Sequence, residues 1–549
     1  MRFATAAFTL LAAAVLAGCA TPRSTEPVQL KVLAINDFHG NLKPPSSGIR
    51  IQDPADPTKT VTVPAGGAEH LATAVQQLRA KNPNHVFVAA GDLVGATPLL
   101  SALFRDEPTI ESLSAMGLQL AAVGNHEFDK GAAELLRLQN GGCSSEGCKG
   151  PAPFTGARFQ YLAASTVVDA TGKTLLPAYS IQRFGGIPVA FIGLTLKDTP
   201  TIVVPAGVAG LTFRDEAETV NALVPVLRQQ GVEAIVVLIH EGGVPTGDYN
   251  ACPGISGPIV DIVNKLDKAV DVVVTGHTHR AYNCRIDGRL VTSGDKYGTI
   301  VTEIDLTLDP GTGDVTRAVA DNVIVRTASF AKDPRQTALI AAYERLATPL
   351  AKRVVGRIGG ALPREQNPAG ESVLGQVIAD AQLAATQDAG AQIALMNPGG
   401  IRAALPLPID GQLRYEDLFA VQPFYNNLVT MTLSGAQLQQ LLEQQWQTAT
   451  RTHMLQVSRG FSYRWDASQP MGQRVVPGSL RLNGQPIAAD ARLRVTVNSF
   501  IASGGDNFTV LRQGTERKTG VMDIDALEAY VKANPTLVPG TLDRIARLN

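Results

Sequence analysis

Five apolar runs of the sequence are each followed at once by polar side chains that could bind metal ions or move protons. The runs have the length and the β-branched content of buried strands. In α/β folds the carboxyl ends of the strands form the edge at which sites are built, so we expect these side chains to lie close together. They occur in the stretches LKVLAINDFHG, HVFVAAGDLVG, LQLAAVGNHEFD, EAIVVLIHEGG and VDVVVTGHTHR, and are Asp37, His39, Asp92, Asn125, His126, Asp129, His240, His277 and His279.

Histidines are concentrated in these stretches. The chain has 8 histidines, and five of them follow the apolar runs, whereas His70, His85 and His453 do not. A lone aspartate after a strand is usually a turn residue or a helix cap, and a lone histidine is usually an ordinary surface or core residue. The repeated pattern outweighs that interpretation for the clustered residues, whereas we interpret the remaining histidines as ordinary.

The types of these side chains match one kind of metal site. Two aspartates, one asparagine and four histidines offer a mixed set of nitrogen and oxygen ligands, which suits Mn, Fe, Zn or Co better than Ca or Mg alone. Two divalent ions about 3.5–4 Å apart need a bridging carboxylate, and such pairs catalyse in-line displacement at phosphorus. Asp92 is the natural bridge because it stands alone after its strand.

The surrounding sequence supplies the elements of a layered α/β fold. From Leu30 to about Ile304, short β-branched runs alternate with polar turns and helical stretches. Residues 334–352 have helical apolar spacing and predict a linking helix, after which a second domain follows. In that domain we expect helices at 373–387 and 434–448 and strands at 392–396, 428–432 and 493–497. The predicted division is 30–330, 331–355 and 356–549.

Length, charge and the N-terminus limit the possible functions. A chain of 549 residues is too long for one core, and a net charge of −1 gives no basic excess for a nucleic-acid polymer. Phe8 to Ala17 is an apolar run of signal-peptide length that ends in LAGC, which resembles the bacterial lipobox. We therefore predict a lipoprotein signal peptide over 1–19, lipidation of Cys19 and a tether over 20–29. An ordinary secretory signal with a chance cysteine is the alternative.

Both leaders imply export, and the lipidated form would be anchored to a bacterial membrane, facing the periplasm or the cell exterior. No other segment of the sequence is long and apolar enough to span a bilayer. Export favours disulfides, and four cysteines allow three pairings. We favour Cys143–Cys148, which flank a Gly/Ser-rich loop, and Cys252–Cys284. A four-cysteine zinc site is the alternative, and the spacing fits it poorly.

The motifs NDFHG, GDLVG, GNHEFD, HEGG and GHTH follow one another in this order. Together they resemble the calcineurin-like metallophosphatases, and more narrowly the secreted 5′-nucleotidase family that includes bacterial UDP-sugar hydrolases. The resemblance implies an N-terminal four-layer α/β/β/α metallophosphatase domain, a linking helix and a C-terminal α/β nucleotide-binding domain. It also implies two metal ions, one held by Asp37, His39, Asp92 and His279, the other by Asp92, Asn125, His240 and His277.

The stretch after Asn125 would then carry the proton chemistry. His126 would face the phosphoryl group and stabilise the charge that develops on its oxygens or on the leaving group. Asp129 can hydrogen-bond the imidazole, fix its orientation and favour its protonated form. Glu127 is interpreted as structural. The expected nucleophile is a metal-bound water or hydroxide, and no covalent phosphoenzyme is expected.

Three stretches of the second half, LMNPGGIRAAL, QPFYNN and VNSFIASGGDNFTVL, carry candidate substrate contacts. Each alone is well explained by core aromatics and turn residues. Aromatic faces can nevertheless stack a base, a carboxylate can accept hydrogen bonds from ribose hydroxyls, and an arginine can pair with phosphate. The resemblance implies that Phe424 and Phe500 clamp the base. It also implies nucleoside or phosphate contacts by Asn397, Arg402 and Asp506, with a further arginine at Arg364.

The predicted function is a two-metal hydrolase that removes the 5′-phosphate from extracellular or periplasmic nucleotides and extends to UDP-sugars. Within the same fold, the alternatives are a 2′,3′-cyclic-nucleotide phosphodiesterase, an NAD pyrophosphatase and a sulfur-oxidation thiosulfohydrolase; the paired phenylalanines argue against the last. A non-catalytic nucleotide-binding lipoprotein and a surface adhesin are the alternatives from other classes. We expect a monomer or a weak dimer that takes a nucleotide as its substrate.

Overall fold

The computed structural model of the protein describes residues 26–144, 147–447, 452–534 and 536–549. The predicted signal peptide, Cys19 and most of the predicted tether lie outside these residues. In the described part of the chain, no helix is both long and apolar enough to cross a membrane.

The first half of the chain contains two six-stranded sheets. Central strands run parallel in both. Antiparallel strands complete one edge of the first sheet and both edges of the second. The first sheet has, in spatial order, Val315–Ile324, Ile300–Leu308, Val28–Ile35, His85–Ala89, Leu120–Ala122 and Gln160–Leu162. The second has Ala281–Ile286, Arg289–Gly294, Val272–Thr275, Ala234–His240, Ile187–Thr195 and Tyr179–Phe184. Smaller pairs are Ile49–Asp53 with Asp56–Val63 and Thr166–Val168 with Leu211–Phe213.

The two sheets pack face to face and helices cover their outer faces. Val32 and Val88 of the first sheet share one core with Val236 and Leu238 of the second. Separate cores lie beneath the helices on each outer face. The helices of this half are Ala68–Arg79, Leu99–Ala102, Glu107–Met116, Ala132–Asn140, Thr199–Ile202, Glu216–Gln229 and Pro258–Lys265. The predicted four-layer α/β/β/α arrangement is confirmed.

Burial on both faces explains why the strands appear in the sequence as unbroken apolar runs. A strand with one solvated face alternates apolar and polar residues, whereas a central parallel strand is covered on both sides. All residues of Ala234–His240 and of Val272–Thr275 are buried. The apolar runs therefore mark the interior strands, and the polar residues that follow them mark the sheet edge.

The second half is built on a five-stranded sheet with helices packed against it. Its strands, in spatial order, are Gln456–Val457, Ile393–Met396, Arg492–Asn498, Asn427–Ser434 and Thr515–Met522. A four-stranded sheet consists of Gln485–Pro486, Arg481–Leu482, Phe461–Asp466 and Ile545–Leu548, and a pair consists of Val354–Arg357 and Gln412–Arg414. The helices are Val373–Ala385, Tyr415–Val421, Gly435–Glu443, Ser499–Ala502 and Asp523–Ala533.

The helix predicted at 434–448 begins as expected but ends early. Ser434 and Gln437 form a reciprocal capping box, in which each side chain accepts from the other's backbone N–H. The helix ends at Glu443, because Trp446 leaves the helical path to pack against Trp465, with ring centroids 5.1 Å apart. The end of the predicted range, residue 448, lies outside the described residues.

The helix Pro334–Ala351 connects the two halves. Its N-terminus is well capped, because the Asp333 side chain accepts hydrogen bonds from the backbone N–H groups of Arg335 and Gln336 and a proline occupies the first helical position. Ile340 packs in a core of the first half, whereas Ala351 packs in a core of the second. The helix is therefore anchored in both halves of the molecule.

Both predicted disulfides are present. Cys143–Cys148 closes a surface loop, and Cys252–Cys284 joins a loop to the strand Ala281–Ile286. The alternative of a four-cysteine zinc site is thereby excluded, since all four thiols are paired.

Candidate active site

The ends of five strands meet at one edge of the face-to-face sheets and bring the predicted metal ligands together. These residues form two groups in which the ligand atoms lie within 4.8 Å of one another. The first group, called the first triad here, is Asp37, His39 and His279, and the second triad is Asp92, His240 and His277. Each triad contains three of the four residues that the sequence assigns to one metal ion.

The backbone turns sharply at these ligands. Asp37, His39, Asp92, His277 and His279 all have positive φ, between 44° and 68°. This left-handed region is uncommon for residues other than glycine, and such strained positions cluster at functional sites. In the short segments DFH and HTH the two ligands are alternate residues, and both ligands of each segment have this left-handed backbone.

Glycines permit the loops to approach closely. Gly91 has a φ of 84°, and a Cβ there would lie 2.7 Å from Nδ1 of His240. A Cβ on Gly124 would lie 2.2 Å from Oδ1 of Asp92. Any side chain at either position would push a ligand away from the strand edge.

Asp92 lies between the two triads. Its Oδ2 is 2.9 Å from Nε2 of His240 in the second triad and 3.7 Å from Nε2 of His39 in the first. Its Oδ1 accepts a hydrogen bond of 2.9 Å from the backbone N–H of His126. The carboxylate is thus oriented by the protein, with one oxygen directed at histidines from both groups, as a bridging ligand requires.

The donor atoms are prepared for cations. Nδ1 of His39 donates to the carbonyl of Gly95 and Nδ1 of His240 to that of Ala90, both at 2.8 Å, so each Nε2 carries its lone pair toward the site. Nε2 of His39 faces Nε2 of His279 at 3.1 Å. The buried Oδ1 of Asn125 has no hydrogen-bond partner among the described residues. Divalent ions would satisfy each of these atoms, so the residues fit the two metals that the sequence implies.

Burial also keeps two of the histidines neutral. It lowers the pKa of His277 to about 3 and that of His279 to about 4, although neighbouring aspartates act in the opposite direction. A neutral imidazole is the form that binds a metal ion. His240 differs: burial lowers its pKa, but the neighbouring Asp92 and Asp37 carboxylates outweigh burial and raise the pKa to about 10.

His126 and Asp129 form a pair beside the triads. A single turn of 3-10 helix, His126–Phe128, brings the two side chains to the same side, and Nδ1 of His126 lies 2.8 Å from Oδ2 of Asp129. Burial lowers the pKa of His126, but the charges of Asp129 and Asp92 outweigh it, and the net shift is upward. The ring is oriented with Nε2 free to contact a substrate.

A cavity of about 370 Å³ runs from this pair into the second half of the molecule. Its lining from the first half includes Asn125, His126, Asp129 and His277, and its lining from the second half includes Asn397, Arg402, Phe424, Phe500 and Asp506. The sequence-predicted metal site and the sequence-predicted nucleoside contacts therefore open onto one cleft.

Side chains of the second half are tied together at the cleft. Asn397 donates to Oδ2 of Asp506 at 2.8 Å and accepts from Asn498 at the same distance. The guanidinium of Arg402 lies 5.9 Å from the ring centroid of Phe424. The Phe424 ring in turn lies 6.1 Å from that of His126, with 22° between their planes. Arg402 is thus positioned where it can bind an anionic substrate close to the metal-ligating ends of the strands, called the metal edge here.

Two residues make contacts that the sequence does not indicate. Arg364 supports the Arg402 loop, because its Nη1 donates to the carbonyls of Ile401 and Arg402 at 2.9 and 2.8 Å. His453, which the sequence leaves as an ordinary residue, lines the cleft, with Nδ1 3.6 Å from Oδ2 of Asp506. The segment THMLQ around His453 has no strand-end motif, so the sequence offered no local signal for this contact.

The described fold and site define a metal-dependent phosphoric ester hydrolase. Residues 30–281 match the calcineurin-like phosphoesterase family, and residues 354–513 match the C-terminal domain of 5′-nucleotidases. The chain therefore belongs to the calcineurin-like phosphoesterases that carry a 5′-nucleotidase C-terminal domain.

Individual relatives agree with this assignment. The chain is 32% identical to endonuclease YhcR of Bacillus subtilis over 92% of its own length, but it spans only 40% of that protein. It is 26% identical to the NAD 5′-nucleotidase of Haemophilus influenzae, covering 92% of this chain and 89% of that one. The crystal structure of a 5′-nucleotidase precursor from Thermus thermophilus superposes with a TM-score of 0.77 at 29% identity, covering 95% and 99% of the two chains.

Proposed function

We propose that the protein is a 5′-nucleotidase that hydrolyses the 5′-phosphate of nucleoside monophosphates with two divalent metal ions, and that it also accepts UDP-sugars. The observation that carries the proposal is the single cleft lined by both the metal-ligating edge and the paired phenylalanines. A phosphatase that does not recognise the nucleoside would not need aromatic side chains in the same cleft as its metal ligands. The similarity to nucleotidases from Haemophilus influenzae and Thermus thermophilus supports the same substrate class.

The protein's residues would divide the work as follows. Asp37, His39, His279 and Asp92 hold one ion, and Asp92, Asn125, His240 and His277 hold the other. When bound, the ions supply Lewis-acid charge at the phosphoryl oxygens and lower the pKa of a bound water. Mn, Zn, Co and Fe all suit this donor set.

His126 would face the phosphoryl group at the mouth of the cleft. Its contact with Asp129 fixes the ring and leaves Nε2 to donate a hydrogen bond to the oxygen on which charge develops. Phe424 and Phe500 would hold the base, while Asp506, bonded to Asn397, accepts from ribose hydroxyls.

Phosphate release by the purified, Mn²⁺-loaded protein tests the proposal. AMP, UDP-glucose, 2′,3′-cyclic AMP and NAD are offered separately, with a coupled phosphatase for the esters that release no free phosphate. Fast turnover of AMP that a chelator abolishes is the expected result. A higher kcat/KM for the cyclic nucleotide or for NAD than for AMP would replace AMP as the proposed substrate. If the metal-loaded protein hydrolyses none of these nucleotides, the proposal that it is a nucleotide hydrolase is wrong.

We further propose that residues 30–330 and 356–549 act as two domains joined by 331–355. The helix Pro334–Ala351, anchored in a core of each half, supports the division and would let one domain rotate on the other to carry substrate. Cleavage within 331–355 should leave two folded fragments; unfolding of either would contradict the division.

Export and lipid anchoring through Cys19 complete the proposal. The two disulfides support an oxidising compartment. Metabolic labelling with a fatty acid should mark the protein and fail in Cys19→Ser. Labelling of that variant at the wild-type level would refute lipid anchoring through Cys19.

A further inference from the structure

Glu127 is a buried carboxylate between the two loops that carry Asp92 and Asn125. Its Oε2 accepts from the backbone N–H of Asp92 at 3.0 Å and from that of Gly124 at 2.7 Å. Its Oε1 accepts from Leu93 at 2.8 Å and from Val94 at 3.4 Å. The side chain is only 2% exposed, so protein donors replace the water that would otherwise solvate the charge.

The contacts hold a strained conformation. Asp92 has a φ of 50°, and the successive N–H groups of Asp92, Leu93 and Val94 converge on the carboxylate. Successive backbone N–H groups in such a turn form a concave site for an anion. Without an acceptor, these buried donors would be left without hydrogen bonds, which would destabilise the turn.

The two loops also bind each other in the reverse direction. Glu127 accepts from the backbone of Asp92, while the carboxylate of Asp92 accepts from the backbone of His126. Because Asp92 stands between both triads, a shift of its loop would change the distances to ligands on each side.

We infer that Glu127 is a positioning residue that sets the location of Asp92 relative to both triads. The inference rests on the metal roles in the proposed function. Within the described part of the chain, the hydrogen bonds of the Glu127 side chain go to backbone N–H groups and to the Tyr161 hydroxyl, and none goes to a triad side chain. It acts by fixing the backbone from which the bridging side chain extends.

Glu127→Gln is the sharpest substitution. The amide keeps the shape but replaces one acceptor oxygen by an NH₂ group, which would face two N–H donors on whichever side it takes. Loss of a residue that orients metal ligands typically lowers metal affinity or activity by about 10–100-fold. We expect a fall of that size in Mn²⁺ affinity and in kcat, with the KM for AMP within about twofold of wild type, because the nucleoside contacts lie elsewhere.

Isothermal titration with Mn²⁺ and the rise in Tm on adding Mn²⁺ provide readouts that do not depend on turnover. Asp271→Asn is the matched control, since Asp271 is a carboxylate of the same domain that accepts a backbone N–H, from Ile235 at 2.8 Å, away from the site. The control should bind Mn²⁺ as wild type does. Glu127→Asp, which restores the charge on a shorter side chain, should recover part of the Mn²⁺ affinity lost in Glu127→Gln.

Wild-type Mn²⁺ affinity in Glu127→Gln would overturn the inference, as would an equal loss in Asp271→Asn. If Glu127→Gln does not fold, Glu127→Asp is titrated in its place, and wild-type affinity there would overturn it too. Because Mn²⁺ binding is measured without substrate, a protein that binds Mn²⁺ normally but releases no phosphate from AMP would refute the proposed function alone.

Discussion

Removing the base-stacking rings should separate recognition of the nucleoside from the chemistry at phosphorus. Phe500 lines the cleft, and its ring packs so closely on the Asp506 loop that a Cβ on Gly505 would lie 2.4 Å from it. Stacking of a base on an aromatic side chain is worth about 1–3 kcal/mol. Since about 1.4 kcal/mol is tenfold, Phe500→Ala should lower kcat/KM for AMP by about 5- to 150-fold.

Ribose 5-phosphate is the control substrate, because it presents the same sugar phosphate without a base. Its kcat/KM should change little in Phe500→Ala or in Phe424→Ala, so the ratio of AMP to ribose 5-phosphate measures the base contacts. The fold-decrease in kcat/KM for AMP should not exceed the wild-type ratio of kcat/KM for AMP to that for ribose 5-phosphate. Phe508→Leu is the matched structural control, because Phe508 is fully buried in the core next to Phe500. It should lower Tm and leave the ratio unchanged.

Equal losses on AMP and on ribose 5-phosphate would refute the stacking role. They would mean that the ring supports the fold of the Asp506 loop or the closure of the cleft. A reduced ratio in Phe508→Leu would have the same consequence, since packing alone would then explain the loss.

Three further substitutions test the metal edge and the stability of the second half. Asp92→Ala should abolish phosphate release and reduce bound metal at both positions, measured by elemental analysis; a full metal complement would refute the bridge. His126→Ala should lower kcat by about 10²–10⁴ with metal content unchanged, and unchanged turnover would remove its role. Burial raises the pKa of Asp523 to about 7. Between the ordinary aspartate pKa and pH 7, the folded state therefore binds a proton that the unfolded state has lost, and the free energy of unfolding falls as the pH rises through that range. Asp523→Asn should therefore gain about 1.4 kcal/mol over wild type per pH unit from pH 5 to 7 in urea unfolding; a pH-independent difference would contradict this.

The metal edge could be predicted from the sequence because each ligand directly follows the strand that positions it. Burial on both faces makes such strands continuous apolar runs, and the first polar residue after Ala234–Ile239 or Val272–Thr275 is necessarily at the sheet edge. The disulfide between Cys252 and Cys284 could also be predicted, because export favours disulfides and four cysteines allow only three pairings.

The nucleoside side of the cleft depends on packing between distant segments. His453 meets Asp506 only because the second half folds their loops together, and no repeat or motif marks it. Arg364 has the residue type of a phosphate ligand, but its distance in sequence from Arg402 conceals that it bonds the Arg402 carbonyl. The early end of the helix Gly435–Glu443 has the same origin, since the packing of Trp446 overrides helical propensity.

The segment Asn125 to Asp129 shows how four polar residues at one strand end acquire different environments. A 3-10 helix has about three residues per turn, so successive side chains point about 120° apart and residues three apart overlie each other. Asn125 can therefore face the second triad, Glu127 turns into the buried Asp92 loop, and His126 and Asp129 share the side that opens onto the cleft. An α-helical turn would rotate Asp129 away from His126 by about 60°, and a strand would place Glu127 and Asp129 on one face. The tight turn, rather than the residue types alone, separates the metal-binding, positioning and proton-handling side chains.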